Sequence, residues 1–346
     1  MDVAILAHEQ FPGRAKTALG ILRYADDEVV AVLDRATAGD RVRDHVADAG
    51  SAGRAQDAPI VESMADAPAC DALIVGIAPI GGGFADDWRP DVRTALERGC
   101  DVIAGLHTLL AEDEEFVRFA AEHGCELRDV REPPADLTVA AGTAGEVPAE
   151  VVVTVGTDCS TGKMTAAFEL REAARERGLD AAVVPTGQTG IMIDGGGIAV
   201  DRVISDFAAG AVERLVRERG DCDLLLVEGQ GAIGHPAYSG VTTGIVHGAA
   251  PDGFVLCHEY GRVAIHGYED ISIPPVGAVA DLYERLAAPV CDAGLRAGTL
   301  DTSALGDEAA ADALRSYGDR LSAPVVDPIR GGAGDVLDAV MGEGAS

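Results

Sequence analysis

The segment GTDCSTGKMT places backbone amides, hydroxyls and a lysine in one short stretch between an apolar run and a helix-like run. A glycine-bracketed turn that opens a helix directs several N–H groups at one point, and the helix dipole adds positive charge there, so such a turn binds anions. Lys163 supplies a full charge and is one of only two lysines in the chain. Five residues separate the glycines instead of the usual four, which predicts a variant phosphate-binding loop. Its residues are Gly156, Thr157, Asp158, Cys159, Ser160, Thr161, Gly162, Lys163, Met164 and Thr165. The plainer alternative is a tight turn that carries a surface lysine.

Met164 occupies the position after the lysine, where a serine or threonine usually ligates the magnesium that bridges nucleotide phosphates. A thioether is a poor ligand for a hard cation. Thr165 is one residue further on, turned by about 100° around the helix. The sequence therefore predicts a phosphate held without a tightly bound metal. A magnesium site formed by Thr165, Asp206 and Glu228 is the alternative.

Three further segments are expected near this loop, and one of them, Ser205 with Asp206, could equally be a helix cap. PTGQTG contains Gly187, Gln188, Thr189 and Gly190, whose glycines permit close approach of a ligand, although a flexible hairpin is the alternative. The run LLLVE ends in Glu228 and leads on to His235. A carboxylate at the carboxyl end of a strand is a common metal or base position, and the alternative is a solvated strand-end acid. His258 follows the run FVLC, where a lone histidine is more often structural.

The elements that must position these residues alternate along the chain. Short apolar runs and helical stretches follow one another over the first 130 residues or so and again from EVVVTV onward, which predicts parallel sheets built from βαβ units. The expected fold is α/β with two domains, a parallel sheet in 1–135 and a doubly wound sheet in 150–346. Residues 136–149 are predicted to be a linker. Ligands of doubly wound sheets bind at the carboxyl ends of the strands, where the glycine-rich segments fall.

The bulk composition limits the partners. The chain has 346 residues, 58 acidic and 27 basic side chains, and a net charge of −31. An acidic shell of this kind suits a halophilic, salt-rich cytoplasm and repels nucleic acid and anionic membranes, so neither is expected as a partner. The seven scattered cysteines contain no CxxC pair, which argues against disulfides and a zinc cluster. No apolar stretch is long enough to cross a membrane, and a cytoplasmic protein is expected.

Three motifs together carry a family resemblance: GTDCSTGKMT, PTGQTGIMIDG and VEGQGAIGHPAYSG. The chain resembles the D-glutamate N-acetyltransferase-like family, formerly a domain of unknown function, over nearly its whole length. The resemblance implies an N-terminal Rossmann-like domain and a C-terminal P-loop NTPase-like domain. The C-terminal half is also similar to dethiobiotin synthetase, whose GTDxxxGK loop keeps a threonine where this chain has Met164.

The resemblance implies acetyl transfer from acetyl-CoA to the amine of a D-amino acid. Gly156 to Lys163 would then hold the coenzyme phosphates, and Gly187 to Gly190 would line the pantetheine or acetyl group. The general base is expected to be Glu228 or His235. Arg202 or Arg262 is expected to pair with substrate carboxylates.

Two other functions stay open at this point. One is an ATP- and Mg²⁺-dependent ligase, carboxylase or kinase like dethiobiotin synthetase. The other is a ligand-sensing module without catalytic activity. In the enzyme hypotheses the partner is a small-molecule substrate, an amino acid in the first, and a homo-oligomer is possible on general frequency alone.

Overall fold

The computed structural model describes residues 1–46, 57–77 and 82–342. They form two units, each with a six-stranded parallel sheet. The first unit contains Met1–Pro133 and also Gln188–Ala199, and the second contains Pro134–Gly187 and the described chain from Val200 on. The α/β fold with two parallel sheets, predicted from the alternation of apolar and helical runs, is confirmed.

The first sheet has the strand order β3-β2-β1-β4-β5-β6, with every neighbouring pair parallel. Its central strands are buried apolar runs such as VAIL and ALIV, as expected for a parallel sheet covered on both faces. The elements of the N-terminal part are β1 (Asp2–Leu6), α1 (Lys16–Tyr24), β2 (Glu28–Leu33), β3 (Ile60–Val61), β4 (Ala72–Val75), α2 (Arg89–Glu97), β5 (Asp101–Ala104), α3 (Glu114–His123) and β6 (Leu127–Asp129).

The rest of the chain supplies the second sheet, in the order β14-β13-β10-β7-β9-β8 and again all parallel, and a short antiparallel pair, β11 and β12. Its elements are β7 (Glu150–Gly156), α4 (Lys163–Glu176), β8 (Ala181–Val184), α5 (Gln188–Asp194), α6 (Ser205–Arg219), β9 (Leu224–Glu228), α7 (Ser239–Ala249), β10 (Gly253–Glu259), β11 (Ala264–Ile265), β12 (Tyr268–Ser272), α8 (Val276–Ala287), β13 (Gly294–Asp301), α9 (Asp307–Leu321), β14 (Val325–Val326), α10 (Pro328–Gly331) and α11 (Leu337–Met341).

Strand β7 is the centre of this sheet and positions the candidate loop. Cys257 of β10 pairs with Gly156 on one side, and Glu228 of β9 pairs with Thr154 on the other. The strand order reverses at β7, and doubly wound sheets bind their ligands at the carboxyl ends of the strands where this reversal occurs. The loop after Gly156 begins at that point.

Two segments differ from the domain boundaries expected from sequence. Helix α5 lies within the range expected for the C-terminal domain but belongs to the first unit, where it packs on α1. The segment expected to be a linker is fastened to α6, because the carboxylate of Glu213 accepts the backbone N–H groups of Ala141, Gly142 and Thr143 at 2.6 to 2.9 Å. This segment therefore belongs to the second unit.

Candidate phosphate-binding site

The loop between β7 and α4 is bent by two residues in left-handed backbone conformations. Gly162, which precedes α4, has a φ of 89°, and Ser160 has a φ of 54°. Among the described residues no side chain caps the start of α4, and uncapped N–H groups at a helix start bind anions. Gly156 cannot carry a side chain, because a Cβ would lie 2.6 Å from Thr161 Oγ1 and 2.8 Å from Lys163 Nζ. The backbone thus forms the concave turn that an anion requires.

Lys163 is folded over this turn. Only 7% of the residue is exposed, its ammonium group donates to the carbonyl of Asp158 at 2.7 Å, and it lies 3.5 Å from Thr161 Oγ1. A surface lysine would extend into water, so that alternative is wrong. A lysine held in this position suits a phosphate ligand.

Asp158 organises the loop from inside the protein, where it is fully buried. Its Oδ1 accepts the N–H of Cys159 at 2.7 Å, and its Oδ2 accepts the N–H of His266 at 2.8 Å. Arg262 donates to the same Oδ2 at 3.2 Å and to the carbonyl of Cys159 at 2.6 Å, and it also pairs with Glu259. Arg262, predicted to bind a substrate carboxylate, therefore binds carboxylates of the protein and fastens the loop.

His235 lies beside Asp158, with Nε2 at 4.0 Å from Asp158 Oδ1. Its Nδ1 accepts the N–H of Ala237 at 3.1 Å, so we assign the proton of the neutral ring to Nε2. Burial lowers the pKa of His235, and the nearby charge of Asp158 opposes that effect only in part. A general base needs an available lone pair, whereas this ring presents an N–H. His235, one of the two predicted bases, is thus arranged as a hydrogen-bond donor.

Glu228, the other predicted base, is buried at the end of β9 with 5% of the residue exposed, so the alternative of a solvated acid is wrong. Its Oε2 accepts the N–H groups of Thr186 and Gly187, both at 3.3 Å. A Cβ on Gly187 would lie 3.5 Å from Oε1. The Thr186 hydroxyl donates to the Glu228 carbonyl at 2.6 Å, and the Gln230 amide donates to the Thr186 carbonyl. The carboxylate is thus held in one place against the backbone of Thr186 and Gly187.

Tyr283 and His258 support the loop through three contacts that were not predicted. The hydroxyl of Tyr283 on α8 donates to the Gly156 carbonyl at 2.8 Å and accepts the N–H of Ile233 at 3.0 Å. Burial raises the pKa of Tyr283, so the hydroxyl stays protonated and can donate. Thr157 Oγ1 lies 2.7 Å from Nδ1 of His258. In the sequence, the position of Tyr283 on the apolar face of a helix indicates only that it is buried.

The other predicted residues lie in separate places. Gly187 belongs to the second unit, and Gln188, Thr189 and Gly190 begin α5 in the first unit, where Thr189 Oγ1 lies 2.9 Å from Thr17 Oγ1. They form a helix start and not the hairpin named as an alternative. Arg202 and Asp206 are exposed, and the structure brings neither into a contact with the loop residues described above.

Comparison with known proteins places this architecture in a family. A family model described as a Rossmann-like domain of unknown function, DUF1611_N, matches residues 35–133. A second, described as the P-loop domain DUF1611_C, matches residues 138–337. The chain belongs to the DUF1611 family. A crystal structure of a DUF1611 family protein from Anabaena variabilis ATCC 29413 is 38% identical, has a TM-score of 0.91, and is matched over 98% of this chain and 99% of that chain.

Two curated relatives of this DUF1611 chain carry an activity in their names. A D-glutamate N-acetyltransferase from Tritonibacter scottomollicae is 37% identical over 277 residues, which is 80% of this chain and 83% of the relative. A protein of the same name from a Pseudoalteromonas species is 33% identical over 77% of this chain and 80% of the relative. The family resemblance inferred from the three motifs is confirmed, and the relationship supports an acetyltransferase enzyme.

One group of side chains in the described part of this DUF1611 chain has the spacing of metal ligands: Asp158, Cys159 and His235, whose ligand atoms lie within 4.8 Å of one another. The Arg262 guanidinium is already 3.2 Å from Asp158 and would repel a cation there. Met164 is buried, with 4% of the residue exposed, and it leaves the helix position directly after Lys163 without a hydroxyl group. A metal-free loop remains our prediction.

None of the helices in the described ranges of this DUF1611 chain combines the length and the apolar character that crossing a membrane requires.

Proposed function

We propose that the chain is an N-acetyltransferase that moves an acetyl group from acetyl-CoA to the amine of a D-amino acid, with D-glutamate as the first acceptor to test. The names of the two relatives suggest the reaction. The structural observation that carries the proposal is a phosphate loop with a buried lysine, Lys163, followed by a buried Met164 where magnesium-dependent enzymes have a hydroxyl.

Coenzyme A fits the chemistry of this loop. Its phosphates must be bound but not cleaved, and its thioester is already activated, so no divalent ion is needed to stabilise a leaving phosphate. The uncapped start of α4 and the ammonium of Lys163 would hold the diphosphate. The fixed geometry of the Asp158 and Arg262 contacts keeps the loop ready for the ligand.

The acceptor amine must lose a proton before it attacks the thioester carbonyl. We assign this proton to the carboxylate of Glu228, because His235 presents an N–H and not a lone pair. As the amine nitrogen bonds to the acetyl carbon, the carbon–sulfur bond breaks and coenzyme A leaves as a thiolate. The nitrogen loses a second proton as the amide forms, and the thiolate takes up one proton, so the overall step is balanced.

The experiment is a thiol-release assay with acetyl-CoA in high salt and a chelator, with D-glutamate and L-glutamate compared as acceptors. We expect thiol release that depends on the D-isomer, and mass spectrometry should detect N-acetyl-D-glutamate. Absence of thiol release with any D-amino acid would refute the proposal.

The ATP-dependent alternative rests on the similarity of the loop to that of dethiobiotin synthetase. Release of ADP from ATP that requires Mg²⁺ and one acceptor, without use of acetyl-CoA, would establish it. Saturable ligand binding without turnover on a broad panel of acceptors would instead indicate a sensing module.

A further inference from the structure

A cavity of about 980 Å³ lies in the second unit, at the carboxyl ends of β10 and β13. It is bounded by the chain after β10, the start of α8 and one face of α9. Two of its residues also contact the phosphate loop: His258 pairs with Thr157 at 2.7 Å, and Arg262 donates to the Cys159 carbonyl at 2.6 Å. A ligand whose phosphates occupy the loop can therefore continue into this cavity.

The cavity lining suits a planar heterocycle. The rings of His258 and Tyr317 are stacked, with centroids 5.5 Å apart and planes 7° from parallel. The hydroxyl of Tyr317 is buried without a hydrogen-bond partner in residues 1–46, 57–77 and 82–342. Flat apolar surface next to a few polar groups is typical of nucleobase-sized sites. The apolar part of the lining is formed by Val263, Ile273, Pro274, Pro275, Val276 and Leu300.

Three charged side chains line the cavity, and two of them are neutralised within the protein. Arg262 is paired with Asp158 and Glu259, and Asp312 is paired with Arg315. Arg320, which is exposed, has no ion pair or hydrogen bond of its side chain within the described residues. In a chain of net charge −31, this guanidinium offers an anionic ligand a positive charge that no side chain of the described residues neutralises.

His258 adds no positive charge of its own near neutral pH. Burial, together with the charges of Arg262 and Arg320, lowers the pKa of His258 to about 4. The cavity therefore presents one unpaired cation, a neutral aromatic surface and an apolar wall. A ligand that matches all three has a flat ring system and an additional anionic group.

We propose that this cavity binds the adenosine end of coenzyme A, with the adenine against the apolar and aromatic lining and the ribose 3′-phosphate on Arg320. The inference rests on the proposed function, because it requires the coenzyme diphosphate in the loop after β7. The 3′-phosphate distinguishes coenzyme A from ATP and from 3′-dephospho-coenzyme A. Arg320 thus selects the acetyl donor.

The test is calorimetric titration with coenzyme A and with 3′-dephospho-coenzyme A, in buffer with a chelator. We expect the wild-type protein to bind coenzyme A about tenfold more tightly, the lower end of the range for a hydrogen-bonded charge pair. Arg320→Ala should reduce this ratio to near one by weakening only the binding of coenzyme A. Arg285→Ala, at a second exposed arginine outside the cavity, is the matched control and should keep the tenfold ratio.

A second variant tests the cavity itself. Ser316 is an exposed lining residue, so Ser316→Trp should fill the space without disturbing the core and should weaken both ligands, with an unchanged melting temperature confirming the fold. Equal affinity of wild-type protein for the two ligands, or a preserved ratio in Arg320→Ala, would overturn the inference even if acetyl transfer is observed. Binding that follows the expected ratios without any acetyl transfer would uphold the inference and refute the proposed reaction. Failure of both ligands to bind would overturn both.

Discussion

Replacing Lys163 by alanine removes the ammonium group that we expect to bind a ligand phosphate. The ammonium is 2.7 Å from the Asp158 carbonyl, and only 7% of the residue is exposed, so water can replace little of what it gives to a phosphate. A hydrogen bond to a charged group contributes about 1.5 to 3 kcal/mol, which corresponds to a roughly 10- to 150-fold increase in the Kd for coenzyme A. Because the site is buried, salt should screen this contribution less than it screens surface charges.

The assay is calorimetry with coenzyme A on Lys163→Ala and on Lys16→Ala. Lys16 is the only other lysine and is exposed at the start of α1, so its loss changes the net charge equally. We expect the Lys16→Ala protein to bind like wild type. An unchanged Kd in folded Lys163→Ala, or equal weakening in both variants, would refute the assignment of the loop.

Three further predictions concern the base, the support of the loop and pH. Glu228→Gln should lower kcat by about 100-fold or more, the range for losing general-base catalysis, with KM for acetyl-CoA little changed; full activity would exclude Glu228 as the base. Tyr283→Phe should lower the free energy of unfolding by about 1 to 3 kcal/mol in urea titrations, because the Gly156 carbonyl and a backbone N–H lose their partner, whereas the exposed Tyr260→Phe should change it little. The pKa of His258 is about 4 in the folded protein against an ordinary 6.5, so the unfolded chain binds the extra proton as pH falls between these values. Wild-type protein should therefore lose on the order of 2 kcal/mol of stability from pH 7 to 5 through this group, a loss that His258→Gln should lack; equal pH dependence of the two proteins in urea titrations would contradict this.

The sequence predicted the fold where the signal is local. Strand β7 reads EVVVTVG and β9 reads LLLVE, both mostly apolar, and α4 begins directly after Gly162. The apolar pattern and the position of the glycine therefore suffice to locate these elements. Helix α5 shows where prediction from the sequence fails. Its glycines and polar residues suggested a ligand-binding turn of the C-terminal domain, but its Ile191–Met192–Ile193 run is buried in the first unit. Which sheet a short helix covers depends on tertiary packing, which spacing does not encode.

The site shows the same division. The loop residues are contiguous, so their pattern alone indicates a candidate anion site. The groups that hold the loop come from far along the chain: Arg262 is 104 residues from Asp158, and Tyr283 is 127 residues from Gly156. Contacts between residues so far apart in the chain do not appear as a short sequence motif. Only hydrogen-bond geometry distinguishes the two candidate bases. The sequence cannot show that the N–H of Ala237 donates to Nδ1 of His235.

The central claim is that the loop after β7 holds coenzyme A without a divalent ion. Titration of the protein with coenzyme A, once with a chelator and once with excess MgCl₂ at matched ionic strength, tests it directly. We predict one binding event with the same Kd in both buffers. Binding that appears only with Mg²⁺, or no binding of coenzyme A in either buffer, would contradict the claim.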